Sequence, residues 1–127
     1  MKARTEELRA ERGGKKKADG MQAVLDAIAE MPDADRVIAE RLHALVIRVA
    51  PDLLPRTWYG MPAYARGKEI LCFFQGADKF DTRYATLGFN DDAALDDGAM
   101  WPTAYAITEW DDGVEERVEA LLRTALG

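Results

Sequence analysis

The run Thr57-Trp58-Tyr59-Gly60-Met61-Pro62-Ala63-Tyr64 places three aromatic rings, a thioether and a Gly-x-Pro kink within eight residues. Such a string can line an apolar cleft while offering indole and hydroxyl groups as polar handles, which is the chemistry of holding a small molecule. Phe73 and Trp101 supply aromatic surface from later elements, and Arg83 supplies a positive charge for an anionic ligand group. The expected ligand-binding set is therefore Trp58, Tyr59, Met61, Tyr64, Phe73, Arg83 and Trp101. A plainer reading of the same string is a bulged edge strand whose aromatics fill the core, and the sequence by itself favours it. Arg66 and Lys79 flank the aromatic strands as Arg83 does and could meet the same anionic group at the cleft mouth, but pairing of all three with the acidic last third of the chain is the favoured reading.

Carboxylates form the second candidate. Asp91, Asp92, Asp96 and Asp97 cluster in one short segment, and Asp111, Asp112, Glu115 and Glu116 in another. Oxygen donors of this kind suit hard cations, and Asp91, Asp92, Asp96 and Asp97 are the expected metal ligands if a cation is held. The spacing matches no EF-hand loop, and the competing reading is charge at helix N-termini or for solubility. No cofactor is required by the sequence; iron is the cation considered.

Covalent catalysis finds little material. The chain contains no serine, one histidine (His43) and one cysteine (Cys72). A serine hydrolase is excluded, as is a zinc site built on several His or Cys residues. His43 falls at the border of an apolar helix stripe, and Cys72 lies in an apolar strand with no basic neighbour in sequence. A nucleophilic role for that thiol would need His43 or a lysine beside it in space. The expectation is a protein without enzymatic activity, with a carboxylate acid or base in an aromatic cleft as the remote alternative.

The elements that must position these residues follow from periodicity. Met21, Val24, Leu25, Ile28 and Met31 recur at helical spacing behind a possible cap at Asp19, up to Pro32. Val37, Ile38, Leu42, Leu45, Val46 and Val49 define a second helix from Asp33 to Ala50, ended by Pro51. The two are expected to pack as a hairpin. All eleven aromatic residues lie between positions 58 and 110. Strands are expected at Thr57–Tyr64, broken by Gly60 and Pro62, then at Glu69–Gln75, Arg83–Phe89 and about Ala99–Thr108. Asn90 caps an expected short helix over Asp91–Asp97, and Asp112–Leu126 forms the closing amphipathic helix. The strand Glu69–Gln75 alternates Ile70, Cys72 and Phe74 against Leu71 and Phe73, so both its faces need cover. The fold class is α+β: an antiparallel sheet of about four to five strands packed against an N-terminal helix pair and a C-terminal helix.

Domain organisation is simple at 127 residues: a flexible charged arm over 1–19 and a single domain over 20–127. Thr5–Arg12 carries one large apolar residue, Leu8, so it has little to bury. The charge is uneven, net +3 over residues 1–19, −1 over 20–89 and −8 over 90–127. An acidic body repels phosphates, which disfavours nucleic acid as a partner, and Lys15-Lys16-Lys17 reads as a solvated run. No apolar stretch is long enough for a membrane span and no secretory leader is evident. With the lone cysteine, this places the protein in the cytoplasm.

Several marks occur together: a helix ending in Ala50-Pro51, the string Gly60-Met61-Pro62-Ala63-Tyr64, the strand around Leu71–Phe74, the pair Trp101-Pro102 and the closing helix. In these, from about Met21 to its end, the chain resembles the YdhG-like family of small bacterial proteins of unknown function. One branch of that family is described as a frataxin-like intracellular iron chaperone. The chain departs from the family at Trp58-Tyr59, more usually Lys-Trp, and at Arg83-Tyr84, where many relatives carry a histidine. The resemblance implies the α+β fold and, for function, a small carrier of iron. The other reading is a protein-interaction or homodimer module using an aromatic sheet face.

Overall fold

A computed structural model describes the backbone of residues 2–127 and the side chains of residues 14–127. The expectation about Leu8 lies outside those side chains. Among the described residues there are three helices and five strands: α1 (Lys2–Ala29), α2 (Asp33–Val49), β1 (Leu54–Trp58), β2 (Met61–Arg66), β3 (Glu69–Gln75), β4 (Ala85–Phe89), β5 (Ala104–Ile107) and α3 (Asp112–Leu126). The strands form one antiparallel meander in the order β1-β2-β3-β4-β5, so the α+β architecture is as expected.

Boundaries differ from expectation in several places, β4 beginning at Ala85 and not at Arg83 among them. Asp19 lies inside α1 and caps nothing. The stretch Thr57–Tyr64 is a hairpin and not one broken strand: Trp58 faces Met61 across a two-residue turn at Tyr59 and Gly60, with φ of 50° and 77°. Positive φ at both central residues makes the turn match the right-handed twist of the flanking strands, and Gly60 adopts it without a Cβ clash. No helix forms over Asp91–Asp97: Ala93 N–H closes a single turn on Asn90 O at 3.0 Å, and the next amide leaves the segment, Ala94 N–H reaching Ala125 O at 2.9 Å. The strand expected over Ala99–Thr108 is only four residues long, since the chain pairs with β4 just from Ala104 to Ile107.

A β-bulge corrects the facing of β3. Tyr64 pairs with Cys72 and Ala65 with Ile70, leaving Leu71 as the extra residue. One inserted residue ends strict alternation, so Leu71, Cys72 and Phe74 all enter the helix-covered core with Tyr64, while Ile70 and Phe73 join the opposite face. That core also takes Val24 and Ile28 from α1, Ile38, Leu42, Leu45 and Val46 from α2, and Val118 and Leu122 from α3. The opposite face holds Leu54, Trp58, Ala63, Ala65, Ile70 and Phe73, all of them strand residues. Phe73 lies opposite Gly88, whose missing side chain leaves room for the ring: a Cβ there would sit 2.1 Å from it.

Helix α1 crosses the edge strand at Gly20, where an added Cβ would meet the Pro55 carbonyl oxygen at 2.1 Å. Proline suits an edge strand because it has no N–H to leave unpaired, and the close helix crossing limits access to that edge. Backbone atoms cannot move aside as a flexible side chain does. Gly20→Ala should therefore destabilise by about 1–3 kcal/mol despite alanine's better helix propensity. Gly14→Ala, in the same helix with nothing within 4 Å, should stabilise by up to about 1 kcal/mol. Urea denaturation midpoints of the two variants should move in opposite directions; equal shifts would contradict the helix crossing.

Candidate functional site

A cleft lies at the end of the sheet where the α1–α2 turn, the β1–β2 hairpin tip and the β3–β4 loop meet. Its volume is about 280 Å³, at the small end for small-molecule sites. Ala27 from the last turn of α1, Met31 from the α1–α2 turn, Met61 from β2 and Phe74 from β3 line its apolar part. Glu30, Asp78, Lys79 and Phe80 stand at its rim, and Phe80 is 40% exposed.

Asp35 shapes this cleft. It occupies the first turn of α2, is only 5% exposed, and accepts hydrogen bonds from the backbone N–H of Ala77 (3.1 Å to Oδ1) and Asp78 (3.0 Å to Oδ2). A buried carboxylate needs such partners, and these two fix the start of the β3–β4 loop onto α2. Gly76 packs directly on the carboxylate, where an added Cβ would come within 3.2 Å. On the opposite wall, the Lys79 ammonium lies over Gly60, 2.4 Å from where a Cβ would be. The two glycines therefore permit close approach of the charged groups on either side.

Of the seven residues expected to bind a ligand, Met61 alone lines this cleft. Tyr64 is wholly buried in the main core. Trp58, Tyr59 and Phe73 group instead at the hairpin and the outer sheet face, with the Trp58 ring 5.1 Å from Tyr59 and 5.2 Å from Phe73. Arg83 is exposed and stacks over Tyr84, 5.4 Å from the ring centroid. Trp101 lies at a separate hollow of about 480 Å³ lined also by Phe89, Asn90, Asp91 and Asp96. The residues that sequence reasoning missed are Met31, Phe74 and Asp35. Asp35 reads in sequence as helix-start charge, and nothing local reveals that its partners lie more than forty residues away.

Of the acidic cluster, the structure brings Asp91 and Asp96 to the Trp101 hollow and leaves Asp97 on an adjoining surface. Asp92 is engaged by Arg66, whose Nε donates to Oδ2 at 2.9 Å while Nη1 donates to Leu126 O at 2.7 Å. Among the described residues, no three His, Cys, Asp or Glu side chains group to hold a metal ion.

His43 and Cys72, far apart in sequence, both neighbour Tyr64. The Tyr64 hydroxyl lies 2.8 Å from His43 Nδ1 and donates to it when the ring is neutral with its proton on Nε2. Cys72 is the cross-strand partner of Tyr64. Burial pushes the Cys72 thiol up to about 12 and the Tyr64 hydroxyl further up, with the thiol's charge adding to the latter, and burial lowers His43. A thiol so buried and so weakly acidic is a packing group.

Comparisons of the chain with protein-family models, curated proteins and solved structures find no match. Among the described residues, no helix is long and apolar enough to cross a membrane.

The polar trio makes stability depend on pH in two windows. Above the ordinary histidine value of 6.5 the ring is neutral in folded and unfolded chains alike; as pH falls below 6.5 the unfolded chain takes up the proton first, so stability declines. Between about 9 and 12 the unfolded chain releases the Cys72 proton that the folded chain retains, so stability again declines as pH rises. Denaturation followed across pH should show that His43→Gln reduces the first slope and Cys72→Ala the second; unchanged slopes would refute the assignment.

Proposed function

We propose that this is a small non-enzymatic binding protein of the cytoplasm that carries a small ligand in the cleft between the α1–α2 turn, the hairpin tip and the β3–β4 loop. One observation carries the reading: a buried carboxylate, Asp35, is spent on fixing the loop that forms one wall, with Met31, Met61 and Phe74 left to line an open hollow. A pre-formed wall limits the entropy lost when a ligand binds, and an apolar lining supplies affinity. Neither nucleic acid nor a membrane fits an acidic body of this kind as partner. Iron carriage rests on the YdhG-like resemblance, since no three of the four aspartates of the 91–97 segment group to hold a metal ion and one is held by Arg66.

Amide NMR with a library of small apolar fragments tests the cleft. Fragments that bind should shift Gly60, Met61, Gly76 and Lys79 together and saturably. Met61→Trp, or Ala27→Phe from the helix side, should fill the hollow and weaken binding by about tenfold or more, a loss of at least about 1.4 kcal/mol. Binding that survives both variants would place the ligand elsewhere.

A second reading has its own observation. Tyr59 is 80% exposed beside Trp58 and Phe73, on the edge of a sheet face whose apolar cluster contains strand residues alone. Exposed aromatic surface of that kind suits a protein partner or a second copy of the chain. Sedimentation equilibrium should then give a dimer mass that Tyr59→Glu reduces to the monomer. A monomer across the concentration range would remove self-association.

A further inference from the structure

We propose that the cleft selects an organic cation: a primary ammonium group carrying a short apolar tail, whether a free alkylamine or the end of a larger molecule. The inference rests on the small-ligand reading of this cleft and adds the chemical class of its ligand.

Charge and geometry both point this way. Three carboxylates, from Glu30, Asp35 and Asp78, line the cleft against a single ammonium, Lys79. They come from three separate segments, the α1–α2 turn, the first turn of α2 and the β3–β4 loop. Asp35 is the important member. Its burial at 5% exposure weakens screening by solvent, and each of its oxygens receives one backbone N–H, leaving acceptor capacity on both. An ammonium has three donors and no acceptor, so it complements a carboxylate that lines a hollow and retains acceptor capacity. A carboxylate ligand meets the opposite situation, with Lys79 and the start of α2 its attractions and three like charges against it.

The rest of the lining fits the tail and the rim. Met31, Met61, Phe74 and Ala27 offer thioether, aromatic and methyl surface to a short alkyl chain, and methionine adapts its shape to what it contacts. Phe80 at the rim already has the Lys79 ammonium 5.9 Å from its ring centroid, so its face accepts a cation. Lys79 is exposed and in no ion pair among the described residues, and it can turn away from the hollow when another cation enters.

The test is a trio of near-isosteres, n-pentylamine, n-pentanol and n-valerate, titrated into the full chain at pH 7 and followed by amide NMR. Pentylammonium should shift Gly60, Met61, Gly76, Ala77 and Lys79 saturably, about tenfold more tightly than pentanol, with valerate weakest. Asp35→Asn should abolish the preference for the cation. Because that change also disturbs the loop, the exposed pair Glu30→Gln with Asp78→Asn should be made separately; it should lower affinity for pentylammonium several-fold, and Lys79→Gln should raise it. Equal binding of amine and alcohol at the cleft would overturn the cation inference while leaving the small-ligand reading in place. Shifts confined to Asn90–Thr103 would overturn it in favour of the Trp101 hollow, and no response to any of the three would overturn both.

Discussion

The single extra residue in β3 determines how this sheet serves its two faces. With Leu71 inserted opposite the Tyr64–Ala65 step, the strand turns Leu71, Cys72 and Phe74 to the same side, where α1, α2 and α3 supply apolar cover. Strict alternation would put Leu71 with Phe73 on the face that lacks helices among the described residues. The bulge also brings Cys72 across from Tyr64, whose hydroxyl has one hydrogen-bonding partner in the core, His43 on α2. Sheet and helix layer are thereby locked in register by a polar contact as well as by packing, and a buried hydroxyl without such a partner would cost about 1–3 kcal/mol.

The cleft depends on the same register. Phe74 reaches its lining because the strand has regained the core side after the bulge, and the chain then leaves β3 at Gly76 directly under the α2 N-terminus. Two amides of the departing loop meet the Asp35 carboxylate there, so the negative charge sits at the positive end of the α2 dipole and the loop cannot swing outward without stranding it. At the opposite wall the hairpin has its own constraint. Tyr59 and Gly60 both adopt positive φ, a conformation that disfavours a bulky side chain at the first position, and the Tyr59 ring lies against Trp58. Both walls are thus set by local chemistry that does not need a ligand to form.

Much of the fold was legible in the sequence because helical periodicity and proline stops are local signals. The α2 stop before Pro51, the extent of β3 and the span of α3 emerge from spacing alone, whereas Asp111, read only as part of an acidic cluster, is the α3 cap. What escaped was non-local. The bulge leaves no mark in β3 itself, since an apolar residue at every position is compatible with either facing. Asn90 followed by two aspartates looks like a helix start, yet Ala94 N–H finds Ala125 O at the far end of the chain and Arg66 clamps Asp92, and these contacts outweigh a weak local propensity. The candidate cleft escaped in part for the same reason: aromatic content drew attention to Trp58, Tyr59 and Tyr64 beside Met61, whereas the cleft also takes Met31, Phe74 and the helix-start Asp35.

That division of labour has a physical rationale. Large aromatics contribute most when buried or stacked, and here Tyr64 and Phe74 anchor the core while Trp58 and Phe73 shield the small residues Ala63 and Ala65 on the open face. A hollow forms where the lining side chains are flexible or short, as with Met31, Met61, Ala27 and Gly60, because these leave space that rigid rings would fill. Carboxylates at the rim then keep such an apolar opening hydrated and discourage association through it. The acidic character of the chain therefore does different work in different places: at Asp92 it staples the C-terminus through Arg66, at Asp111 it caps α3, and at Asp35 it joins the helix layer to the loop that bounds the cleft.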